Sequence, residues 1–79
     1  QKLSHYSVQV GSFSARENAR KLHSQLNSKG MQPEYEDSGN GHTRVVLPKI
    51  EPTELDPLLT KLAVLGHNSV LVRRHFASN

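Results

Sequence analysis

Polar and apolar residues first alternate in Tyr6-Ser7-Val8-Gln9-Val10. A period of two is that of a β-strand, so Val8 and Val10 share one face while Ser7 and Gln9 share the other. The run passes through Gly11-Ser12-Phe13 and the period then changes. Ala15, Ala19, Leu22 and Leu26 recur at spacings of four, three and four, the stripe of an amphipathic helix, with Arg16, Arg20, Lys21, Asn27 and Lys29 turned away from it. Ser14 stands three residues before Glu17, which predicts a capping box at the start of that helix. Gly30 supplies the left-handed residue that ends it.

The second half repeats the scheme. Residues 31–36 read as a short strand, and Pro33 within it assigns the strand to a sheet edge because proline lacks the ladder donor. Residues 37–41, Asp-Ser-Gly-Asn-Gly, predict a hairpin loop. Residues 43–47 form a β-rich stretch with Val45 and Leu47 on one face and Arg44 and Val46 on the other; Pro48 is expected to end it. Acidic residues 51–56 lead to Asp56 and Pro57, read as the N-cap and first residue of a second helix. Leu58, Leu59, Leu62, Ala63 and Leu65 give that helix its apolar side, and Gly66 closes it. Residues 69–74 are the last strand, with Val70 and Val72 toward the core and Leu71 and Arg73 outward.

The order is βαββαβ, two βαβ-like units joined by a hairpin. This is the α+β, ferredoxin-like (RNP-like) pattern: a four-stranded antiparallel sheet with two helices on one face. The first and third strands are central there and the other face is open. Gln9 and Arg44 are therefore expected as neighbours on the open side.

At 79 residues the chain is one small domain, 1–79, with its core in about 6–74. A chain of this size buries only roughly 60% of its surface, which leaves no room for a deep catalytic cleft. No cysteine is present, so neither a disulfide nor a thiolate metal site can form. Ten Lys plus Arg against seven Asp plus Glu give a net charge of +3, mildly suited to an anionic partner. No apolar run reaches the length of a membrane span. His5, His23, His42, His67 and His75 include no pair at helical i, i+4 spacing, so no metal is expected. No nucleophile elbow or oxyanion motif occurs, and Glu34, Glu36 and Asp37 fall on an edge strand and its loop rather than in an enclosed site. The expectation is a non-catalytic module without a cofactor.

The Val8-Gln9-Val10-Gly11-Ser12-Phe13 run, the Ala19/Leu22/Leu26-Gly30 helix and the Arg44-Val45-Val46 strand resemble a SPOR domain over residues 6–73. That resemblance implies binding of peptidoglycan glycan strands from which the stem peptides have been removed. Such strands carry N-acetyl amides, hydroxyls and a lactyl carboxylate on each muramic acid. Gln9, Ser12 and Arg44 match the family's binding positions. An amide, a hydroxyl and a guanidinium suit those groups chemically. His42 corresponds to a position often aromatic in relatives, and Leu71 to an apolar binding position. Arg73 is added on its outward sense alone. Relatives usually carry Gly-Pro after the third strand, whereas here Leu47 is followed by Pro48-Lys49-Ile50. Stem peptides would collide with a flat sheet, so selectivity comes from exclusion as well as attraction. The resemblance further implies a monomeric domain cut from a larger envelope protein. It would direct that protein to the division septum in the periplasm, with any membrane contact through a segment outside this chain.

Pattern alone also permits simpler readings. Gln9 is then a solvated strand residue, Arg44 a surface charge, Ser12 a turn former and Leu71 an isolated exposed leucine. Two other functions share the fold. An RNA-recognition module would stack bases on aromatic residues of the central strands, yet the outward positions Gln9, Arg44 and Val46 carry none, so nucleic acid is not expected. A dimerisation module would pair Val46 and Leu71 with a second copy.

Overall fold

The computed structural model describes residues 2–77; Gln1, Ser78 and Asn79, which the 1–79 domain extent includes, lie outside the described residues. Its elements are β1 (Leu3–Phe13), α1 (Arg16–Ser28), β2 (Glu34–Asp37), β3 (Thr43–Ile50), a 3-10 turn (Pro52–Glu54), α2 (Leu55–Val64) and β4 (Leu71–Phe76). The strands form one antiparallel sheet in the order β2-β3-β1-β4, with β1 and β3 central as the duplicated pattern predicts.

One cluster makes the core. Val8 and Val10 of β1, Val45 and Leu47 of β3, Ala19, Leu22 and Leu26 of α1, Leu62 of α2 and Met31 are all buried in it. Both helices thus cover the same sheet face, the one to which β1 and β3 send the valines picked out by alternation. Each helix ends on its glycine. Gly30 has φ +86°, and its N–H and that of Met31 donate to the carbonyls of Asn27 and Leu26 at 3.1 Å each. Gly66 has φ +93°, and its N–H donates to Ala63 O at 3.0 Å. These bonds satisfy carbonyls that the helix end would otherwise leave unpaired.

Several boundaries differ from the sequence expectation. The Ser14–Glu17 capping box does not form. Ala15 is the N-cap of α1, with extended φ −99° and ψ 118° and no side-chain cap, so Ser14 lies one residue too early and the Glu17 carboxylate faces Arg20 at 3.6 Å instead. Ala15 is accordingly exposed, while the rest of its stripe is buried. The second helix starts earlier than Asp56. A 3-10 turn precedes it, Glu54 is its N-cap, and Asp56 and Pro57 fall inside the first turn. There a carboxylate still meets the positive end of the dipole and a missing N–H still costs nothing.

Pro48 does not stop β3, which continues to Ile50. β2 pairs with β3 only as far as Val46, so beyond that point β3 is itself an edge and proline's missing donor is not needed on that side. A bulge absorbs the irregularity. Between the pairs Tyr6↔Ile50 and Val8↔Leu47 the third strand carries the extra residue, and Lys49 takes φ +56°. β2 occupies 34–37 with Pro33 just before it, buried. β4 lies two residues later than expected, at Leu71–Phe76. Val70 packs on the core from the preceding loop, and Val72 remains 38% exposed on the edge.

Leu26 is fully buried at the centre of the cluster. Leu26→Ala is expected to cost roughly 2–5 kcal/mol, read as a lower urea midpoint. Unchanged stability would mean that the helix does not seal the sheet.

Candidate functional site on the open sheet face

Strict alternation would place Gln9 and Ser12, three residues apart, on opposite faces of β1. A bulge prevents this. β1 advances from Gln9 to Gly11 while β3 advances only from Val46 to Val45, and the next pair is Ser12↔Arg44. The additional residue restores Ser12 to the face of Gln9. Gly11 lets the Phe13 ring pack closely at this step. A Cβ there would meet the Phe13 ring at 2.8 Å and Leu22 Cδ2 at 3.0 Å, because that ring folds back over the glycine toward the core.

Cross-strand pairs share a face, so the register assigns the rest. Glu34, Val46, Gln9 and Leu71 form one row across all four strands. Glu36, Arg44 and Ser12 form a second row, and Ser7 with Arg73 and His5 with His75 extend the surface along β1 and β4. Gln9 and Arg44 share the open face as expected, but not as direct partners: Val46 stands opposite Gln9, and Ser12 opposite Arg44. Arg44 lies two residues along β3 from the Val46 that faces Gln9.

Charge ties the rows together. Arg44 Nη1 donates to Glu36 Oε1 at 3.1 Å, and Arg73 Nη1 lies 3.6 Å from the same oxygen. Arg73 Nη2 donates to Gln9 Oε1 at 3.4 Å. The Ser7 hydroxyl and His75 Nε2 are 2.8 Å apart, and the His75 ring stacks on His5 with centroids 4.7 Å apart. A depression of about 240 Å³ opens here, bordered by Ser7, Glu34, Glu36, Arg73 and His75. Leu71 is 57% exposed beside Gln9.

His42 stands apart from the strand residues. It is exposed in the β2–β3 loop, beyond the last ladder pair Phe13↔Thr43, and its Nδ1 lies 3.3 Å from Asn40 Oδ1. It borders the Ser12–Arg44 end of the face without joining the network. Ser7 has the outward sense that alternation predicts, whereas Glu36, Glu34 and the His5–His75 stack were not legible as members of this surface. Alternation over 34–37 would have paired Glu34 with Glu36 on one side, but only the register shows which side. His75 continues the 71, 73 alternation past the expected strand end.

The Phe and Tyr side chains avoid this face. Tyr6, Phe13, Tyr35 and Phe76 all occupy positions adjacent in sequence to open-face residues and therefore point the other way. Tyr35, for instance, stacks on His23 of α1 with centroids 4.6 Å apart. Among the described residues no group of three or more His, Asp or Glu is arranged to hold a metal ion, and no helix is long and apolar enough to cross a membrane.

A two-layer α+β module whose uncovered sheet carries amide, hydroxyl and guanidinium groups belongs to the class of small ligand-binding domains. The SPOR domain family model matches residues 2–73, nearly all of the chain, and the chain belongs to that family. SPOR domains are binding domains known for peptidoglycan binding in cell division, and proteins that carry them are typically periplasmic or envelope-associated at the septum. No curated protein and no solved structure matches the chain.

Gly11→Ala places a methyl group against the Phe13 ring and is expected to destabilise the domain by roughly 1–3 kcal/mol. It should also weaken cross-strand NOEs between Ser12 and Arg44. A variant with parental stability and intact NOEs would show that the bulge tolerates a side chain.

Proposed function

We propose that the open face binds glycan strands of peptidoglycan that lack stem peptides, without catalysis and without a cofactor. One observation carries the reading: in a SPOR domain, Gln9, Ser12, Arg44, Leu71 and Arg73 lie on one uncovered sheet surface. Arg44 and Arg73 are the cations for lactyl carboxylates, since a guanidinium forks onto a carboxylate through charge-assisted bonds. Gln9 and Ser12 exchange hydrogen bonds with N-acetyl amides and hydroxyls. Leu71 gives an apolar contact to a sugar face, and His42 lies over the end of the strand at the rim.

Selection against intact peptidoglycan follows from shape, because a peptide on each lactyl group removes the carboxylate charge and projects into the sheet. The domain forms one module of a larger envelope protein and acts as a monomer that directs its parent to the division septum. An RNA platform is disfavoured, because the Phe and Tyr side chains lie on the opposite side and the rings on this face, His5 and His75, stack on each other.

Sedimentation with sacculi before and after amidase treatment tests the proposal. Treatment should raise the bound fraction, and Arg44→Ala should lower affinity roughly tenfold or more by removing charge-assisted bonds. Gln9→Ala should lower it less. Equal binding to treated and untreated sacculi, or parental binding by Arg44→Ala, would refute the site. Retention of oligonucleotide with a steep loss on added salt would favour nucleic acid instead.

A further inference from the structure

The guanidinium groups of Arg44 and Arg73 both face a carboxylate of the chain itself. Glu36 Oε1 lies 3.1 Å from Arg44 Nη1 and 3.6 Å from Arg73 Nη1. Glu36 arrives there through the sheet register, directly opposite Arg44 on the edge strand β2. Arg73 comes from the far edge β4 and also donates to Gln9 Oε1. A single carboxylate oxygen therefore links side chains from both edges across the middle of the face.

We infer that Glu36 is an internal competitor for the ligand's carboxylate and thereby sets the affinity of this surface for anionic ligands. The inference rests on the proposed glycan reading, since only an anionic ligand competes with it. A lactyl carboxylate seated between Arg44 Nη1 and Arg73 Nη1 takes the donors that Glu36 holds, and two carboxylates on one guanidinium edge repel each other. Glu36 must swing away for the ligand to seat. A neutral sugar does not compensate the two guanidinium groups for losing Glu36, so it leaves the network closed. Glu36 thus lowers affinity for anionic ligands alone and leaves neutral ones unaffected.

The magnitudes permit release. Glu36 and Arg73 are nearly half exposed, at 44% and 46%, and Arg44 is 29% exposed. Ion pairs at such positions are weak and screened by salt, so the competitor lowers affinity without abolishing it. Glu34 shares the face, in the Val46 row, but among the described residues makes no ion pair with either arginine.

Glu36→Gln keeps the side chain's shape and removes its charge at an exposed position. Affinity for a defined peptide-free glycan oligomer, measured by calorimetry, should rise roughly three- to tenfold. Affinity for a neutral N-acetylglucosamine oligomer of equal length should stay the same. Glu17→Gln, on α1 and paired there with Arg20, makes the same change in net charge away from the face and should leave both affinities unaltered. An equal gain from Glu17→Gln, or an equal gain for the neutral oligomer, would reduce the effect to general electrostatics and overturn the inference. Lower affinity in Glu36→Gln would make Glu36 a group that positions the arginines for binding. If the parent binds the peptide-free glycan and Glu36→Gln gains nothing, only the competitor role fails; if the parent does not bind it, the functional reading fails too.

Discussion

Between Gln9 and Ser12 the central strand sets Val10 and Gly11 against the single Val45 of its neighbour, and the rest of the site depends on that mismatch. Without it, Ser12 would join Val8 and Val10 in the core, and Arg44 would face a different partner on β1. The bulge is held from the core side. Phe13 folds its ring over Gly11, Leu22 closes from α1, and a Cβ between them would displace the ring. A packing constraint on the buried face therefore decides which polar groups appear on the exposed one.

The second bulge works in the opposite sense. At Pro48-Lys49 the extra residue belongs to β3, so the two central strands leave regular register at two points of their shared ladder. Bulges raise local twist and end a flat pairing surface. Between them lies the regular stretch in which Val8 and Val46 each have partners on both sides. The Gln9 row of the open face lies over this stretch and the Ser12–Arg44 row just beyond the bulge, the charges balanced through Glu36 rather than left as a bare cationic patch.

Much of the fold could be read from residue spacing. The periods of two and of three to four, with Gly30 and Gly66, were sufficient for the element order, the central strands and the buried set from Val8 to Leu62 apart from Met31. Boundaries were less legible, because they turn on single backbone torsions. Ser14 and Glu17 have capping-box spacing, but the extended conformation of Ala15 moves the cap past them. Pro48 is a strand breaker only where its N–H would be needed, and the short β2 removes that need. For the candidate site, alternation gave Gln9, Arg44, Leu71 and Arg73 their outward sense. Ser12 came from the family resemblance, since its face depends on a bulge that no local pattern announces. Glu36 was visible as a carboxylate on an edge strand; that it meets both arginines depends on pairing across the whole sheet.

The central claim is that ligand lies along the open sheet and not against the helices. Chemical-shift mapping of the isotope-labelled domain with a peptide-free glycan oligomer tests it most directly. Perturbations are expected at Ser7, Gln9, Ser12, Arg44, Leu71 and Arg73, running along β1 and across to β4. Perturbations concentrated on Arg16, Arg20 and Lys21 of α1, with a silent sheet, would contradict it.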